Sequence, residues 1–229
     1  MKNKERILKM VVLAMLFALA IVLQAIATFV PSLSTYSLPL GLIPVAVAAI
    51  IYGPGYGALV GALWGAYINI FDPSCQTFYN WESLQPGLAI FYTILAVTGR
   101  GALDGLFVGL VYKLVMFIAH KITKNKSDDE MAIGENVATL IASVLMCLFN
   151  NLVFWTLVTI CFGMNFPALQ AFFTANLGLS ILLSAICAPI LARVITISKR
   201  MLNTEKSKEN KKKDTDEIEP SKMFEDLDR

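Results

Sequence analysis

The apolar positions of the chain fall into long blocks. Those at 7 to 30, 55 to 71, 99 to 119, 136 to 162 and 168 to 198 approach the ~20 residues that a helix needs to cross a hydrocarbon core of ~30 Å. A sixth block, Leu38 to Tyr52, is shorter and sits between Pro39 and the Gly53-Pro54 break, as a short or tilted span ending in a tight turn would. The stretch 86 to 98 (PGLAIFYTILAVT) either extends the fourth span or folds back over the outer face. The first block is too long for the core of a signal peptide and reads as a retained span. The pattern predicts an all-α, polytopic membrane protein with six transmembrane helices.

Composition agrees, with 56% hydrophobic and 16% charged residues and a mean hydropathy of +0.64. The charges are segregated. Residues 204 to 229 hold seven of the 19 basic and nine of the 17 acidic side chains. This divides the chain into a six-helix domain, 1 to 200, and a charged tail, 201 to 229, too polar to offset the entropy of ordering. The mixed sign of the tail argues against nucleic acid as a partner, because counterion release rewards a basic surface of one sign.

Charge also orients the spans. Lys2, Lys4, Arg6 and Lys9 precede the first, Lys121, Lys124 and Lys126 lie between the fourth and fifth, and Lys199 and Arg200 follow the sixth. The connections 31 to 37, 72 to 87 and 163 to 167 have no lysine or arginine and carry only Asp72 and Glu82. Six spans place every basic segment, and both termini, on the cytoplasmic side, whereas five would strand one basic terminus outside.

Glycine recurs at every fourth position in two tracks, Gly57, Gly61 and Gly65 on the third span and Gly101, Gly105 and Gly109 on the fourth. Each track lies on one helical face, where missing side chains let another helix approach, so both read as packing surfaces within the chain. Ala14 and Ala18 form a smaller track on the first span.

Ionisable groups are costly inside a membrane, which makes Arg100 and Asp104 the most informative polar pair. At a spacing of four they either neutralise each other, or Arg100, near the outer end of its span, offers its planar fork to a carboxylate or phosphate. Gln24, Asn69, Asn150, Asn151, Gln170 and Asn176 supply donors and acceptors suited to a polar ligand, and equally to bonds between helices. Trp64, Tyr67, Phe71, Tyr79, Trp81, Tyr92 and Trp155 fit an interfacial belt or a stacking wall. The 72 to 87 connection is long and aromatic, as a lid would be.

Enzymatic readings lack their residues. There is no phosphate-binding Gly-x-x-x-x-Gly-Lys-Ser/Thr loop, the single histidine, His120, has no nucleophile placed beside it, and Asp104 is the single acid within the spans. The four cysteines are far apart and form no Cys-x-x-Cys pair, so no metal site is expected. No cofactor is implied, and catalysis is not expected.

The order Leu42-Ile43-Pro44, then Gly53-Pro54-x-x-Gly57-Ala58-Leu59-Val60-Gly61, with Ala14-x-x-x-Ala18 before it, resembles the substrate-binding S components of energy-coupling factor (ECF) transporters over roughly residues 7 to 200. The resemblance implies a vitamin-capture subunit in a bacterial plasma membrane. It implies that the subunit binds a water-soluble vitamin under its outer loops and docks through its first helix, at Ala14 and Ala18, on a T component that carries two ATPases. Thr98-Gly99-Arg100-Gly101 is most similar to the start of the fourth helix in pantothenate-type members, although glycine stands here where proline usually precedes the arginine. The expected substrate-binding set is Trp64, Tyr67, Asn69, Arg100, Asp104, Asn150, Asn151 and Asn176. Pantothenate suits the arginine and the amides, whereas riboflavin would lean on Trp64, Tyr67 and Trp155. The alternative from the residues alone is a self-sufficient secondary transporter or channel for a small polar or anionic solute, motivated by Arg100 and Asp104.

Overall fold

A computed structural model of the chain describes residues 2–29, 39–122 and 128–163. Among these residues every regular element is helical: α1 (Lys2–Phe29), α2 (Leu42–Tyr52), α3 (Pro54–Phe71), α4 (Pro73–Tyr79), α5 (Pro86–Ile94), a π turn (Leu95–Gly99), α6 (Arg100–Ile122) and α7 (Asp128–Phe162). Three stretches are long and apolar enough to cross a membrane, Arg6–Phe29, Pro86–Lys121 and Ile133–Phe162, and Leu42–Tyr52 is a shorter apolar helix. The sixth expected span, the charged tail and Asn176 lie outside the described residues.

α2 is apolar on every side because it lies inside the bundle, with eight of its 11 residues buried. Pro44 falls in its first turn, where a missing N–H removes no helical bond. The helix ends at Gly53, whose N–H donates to Ala49 O at 3.0 Å and whose φ of +104° is a conformation glycine tolerates and other residues resist. Gly53 O then accepts from the N–H groups of Tyr56 and Gly57, and Pro54 opens α3. The Gly-Pro break is thus a tight turn between two antiparallel helices, as its residues predict.

The two glycine tracks face one another. A Cβ on Gly61 would overlap the Gly101 carbonyl, one on Gly105 would overlap Gly57, one on Gly65 would come within 2.7 Å of the backbone at Val97 and Thr98, and one on Gly109 would meet Pro54 Cα at 2.7 Å. α3 and α6 therefore run antiparallel with their backbones in contact, in a seam within one chain. The seam also aligns the ends of the bundle. The Gly53 turn lies level with Gly109, toward the end of α6 that carries His120 and Lys121. At the opposite end, Thr28 Oγ1 donates to Asp72 Oδ2 at 3.5 Å, which joins the close of α1 to the close of α3.

The stretch 86 to 98 settles as an extension. α5, the π turn and α6 form one continuous stretch of 36 residues, Pro86–Lys121, so the fourth span begins at Pro86 and not at 99. Arg100 consequently lies about four helical turns from the start of its span and not near the tip. The 72 to 87 connection is likewise partly helical, since α4 occupies Pro73–Tyr79.

Replacing Gly61 by valine should push the α3 and α6 backbones apart, at a cost of about 1–3 kcal/mol or more. Gly87→Ala, where no atom lies within 4 Å of the added carbon, is the control. Thermal unfolding in detergent should show a lowered midpoint for Gly61→Val and an unchanged one for the control; equal midpoints would mean that the seam is not tight.

Candidate functional site

The site gathers where α3, α6 and α7 meet. Arg100, the first residue after the π turn, extends its guanidinium over the Phe154 ring of α7, 4.5 Å from the centroid, and toward the Trp64 ring of α3, at 5.9 Å. Aromatic faces stabilise a cation through their quadrupole, and more so where water is thin. They do not take the in-plane hydrogen bonds that a guanidinium offers. Arg100 Nε is buried and has no hydrogen-bond partner among the described residues.

Asp104, one turn further along α6, is completely buried. It is held across the interface by Asn150, whose Nδ2 donates to Asp104 Oδ2, while Oδ1 has no hydrogen-bond partner among the described residues. The two open atoms show that the contact allowed by their i, i+4 spacing is not the hydrogen-bonded arrangement adopted. The cation is satisfied by rings and the carboxylate by an amide from another helix.

Trp64 is 0% exposed, so neither face of its ring is free for a ligand. Its Nε1 donates to Gln24 Oε1 at 3.2 Å, and the Gly41 N–H reaches the same oxygen at 3.5 Å. Gly41 is bare because any side chain there would overlap the indole. Trp64 is therefore a buried support for Arg100 that ties α1, α2 and α3 together.

Asn69 belongs to a second polar group. Its Nδ2 donates to Thr98 Oγ1 in the π turn at 2.8 Å and to Gly65 O at 3.2 Å, while the Tyr79 hydroxyl of α4 donates to Asn69 O at 2.8 Å and reaches Asn69 Oδ1 at 3.1 Å. Asn69 thus latches the connecting segment to the two helices beneath it. The latch is reinforced by Phe78 and Trp81, which pack on Phe162 with centroids 5.2 and 5.7 Å away, and by Phe78 on Phe154 at 6.4 Å. Phe154 also carries Arg100, so the 72 to 85 segment and the guanidinium pack on the same ring. π turns interrupt regular helical bonding and are frequent at functional sites, and this one leads directly into Arg100.

The other expected residues that are described make different contacts. Asn151 Nδ2 donates to the Cys147 carbonyl of its own helix at 2.9 Å, and Tyr67 stacks on Phe71 with centroids 4.9 Å apart. Ala14 and Ala18 are exposed on the face of α1 that carries Met10, Met15 and Val22. Phe154 and Thr98 complete the site without having been expected in it. The available signal was spacing: Phe154 follows Asn150 by one turn, on the same face as the residue that meets Asp104.

These features define a multi-pass helical membrane protein with a charged group held open between its helices. The family model for "ECF transporter, substrate-specific component" matches residues 8–198, and the chain belongs to that family. It is thus a transport component that binds substrate, and its family is not one of enzymes. No curated protein and no solved structure matches the chain.

The latch has a chemical reporter in Cys75, which is 3% exposed within α4. Burial first, and then the charge of Asp72, push its thiol up to about 12, against a smaller downward pull from Arg100. At pH 8 the reactive thiolate is then on the order of 10⁻⁴ of the total. Site-resolved alkylation of Cys75 should stay slow from pH 7 to about 10 and rise only as pH approaches the raised value. Tyr79→Phe, which removes both hydroxyl contacts with Asn69, should speed it severalfold. Equal rates in the two proteins would mean that Tyr79 does not hold the segment closed.

Proposed function

We propose that the chain is the vitamin-capture subunit of a bacterial ECF importer in the plasma membrane, and that it binds a water-soluble, carboxylate-bearing vitamin beneath the 72 to 85 segment. The observation that carries this reading is Arg100, its guanidinium against Phe154 and its Nε buried without a hydrogen-bond partner among the described residues. A guanidinium so placed gains most from a planar anion that fills its in-plane donors. Pantothenate fits better than riboflavin, because the wide stacking wall that a flavin needs would fall on Trp64, which has no exposed face.

Asp104, held by Asn150, stands one turn along the same interface and completes the ligand contacts. Asn69, with both ends of its amide engaged, governs the covering segment instead. Six spans with both termini cytoplasmic accord with the lysines, and the Gly53 turn then lies on the cytoplasmic side, level with the Lys121 end of α6. The exposed Ala14 and Ala18 face is where a T component bearing two ATPases would dock, small residues allowing close helix contact. The chain contains no phosphate-binding loop, so ATP hydrolysis falls to partner subunits.

Mass spectrometry of the molecule that co-purifies with the full chain should identify a carboxylate vitamin. Arg100→Gln should weaken its binding about tenfold to a hundredfold while leaving the protein monodisperse, as expected for the loss of a charge-assisted bond. Ala14→Trp combined with Ala18→Trp should leave vitamin binding intact and abolish co-elution with the T component. A broad vitamin screen without a thermal shift, or solute flux in liposomes holding this chain alone, would overturn the reading.

A further inference from the structure

Arg100 and Asp104 share one face of α6, and that face meets Phe154 and Asn150 of α7, which are themselves one turn apart. The interface is a ladder of two rungs, a cation on a ring and a carboxylate on a carboxamide. Each rung leaves one buried atom open. Among the described residues, Arg100 Nε is a donor without an acceptor, and Asp104 Oδ1 is an acceptor without a donor. The backbones of the two residues are about 6 Å apart along the helix axis.

A buried carboxylate oxygen is costly to leave bare. Three polar side chains of this interface do not reach Asp104 Oδ1. Asn150 gives its amide to the other oxygen, Asn151 bonds back to Cys147 O in its own helix, and Arg100 lies over the rings. The open pair has the polarity of a ligand that accepts at one end and donates at the other.

We propose that Asp104 accepts a hydrogen bond from the captured molecule, which therefore carries, beside the anionic group taken by Arg100, a hydroxyl, amine or amide N–H about one helical turn away. The inference rests on the capture reading above and adds the ligand's direction, with its anion level with Phe154 and its donor level with Asn150. Asn150 acts as a positioning residue, since by occupying Oδ2 it leaves Oδ1 for the ligand. A carboxylate that lacks a donor would leave Asp104 bare and bind poorly.

Three probes separate these cases: pantothenate and biotin each carry a carboxylate and hydrogen-bond donors, whereas nicotinate carries a carboxylate and no donor. Calorimetry on the purified full-length chain should show pantothenate or biotin binding at least tenfold more tightly than nicotinate. In the D104N protein the open position becomes an N–H donor, so the affinity for the preferred probe should fall tenfold or more while the weak nicotinate affinity does not fall. Nicotinate binding as tightly as the other two would overturn the proposal whether or not the variant folds. So would a monodisperse D104N protein that binds the preferred probe within twofold of wild type. Failure of the unaltered chain to bind any of the three would instead overturn the reading of a carboxylate-vitamin site, and this proposal with it.

Discussion

Helices that lack side chains on their facing sides can bring their backbones into contact, and α3 and α6 do so at Gly57 against Gly105 and at Gly61 against Gly101. Much of the described bundle follows from that closeness. It sets the register that puts the Gly53 turn beside Gly109 and Gly65 beside the π turn. It also lets Trp64, on α3, reach the guanidinium at the start of α6. Were the seam wider by a methyl group, the ring and the cation would separate, and the latch from Asn69 to Thr98 would lengthen with them.

The charged residue that this geometry positions is expensive in a membrane, and the chain meets the cost in an uncommon way. Arg100 does not close on the nearby carboxylate; it rests on aromatic faces from two other helices. Direct ion pairing would have spent its hydrogen-bonding capacity inside the bundle. Cation–π contact lowers the cost of the charge while leaving in-plane donors for something else. Asp104, held by one oxygen among the described residues, is the counterpart on the acceptor side. Around them Gln24 fixes Trp64, and Tyr79 and Asn69 fix the covering segment, so the open groups sit in a supported setting.

The parts legible in the sequence were those with a local cause. Glycine every fourth residue can only be one helical face, and Gly53-Pro54 can only be a break, so the packing tracks and the turn are read directly. The start of the fourth span stayed open in the sequence, because 86 to 98 is apolar enough either to extend the helix or to fold back, and the fold shows a π turn carrying the helix through. Partners across the bundle were hidden for a different reason. Spacing brings Arg100 to Asp104, yet Asp104 takes Asn150 from 46 residues away, and no local rule anticipates that choice. Trp64 looks like an interfacial aromatic until Gly41, which yields the room for its indole, is placed over it. Asn69 and Asn151 appear as equal candidates among the amides, but only the fold shows that one latches a segment and the other bonds to its own helix.

The central claim is that Arg100 is kept off Asp104 so that its guanidinium can meet an anion beneath the 72 to 85 segment. An experimental structure of the full chain, purified gently enough to retain its co-purifying molecule, tests this directly. The account predicts that the molecule's anionic group lies in the plane of the Arg100 guanidinium, with Phe154 against the face of the cation and α4 closed above. A structure in which Arg100 and Asp104 form a bidentate ion pair while the molecule lies elsewhere would contradict it.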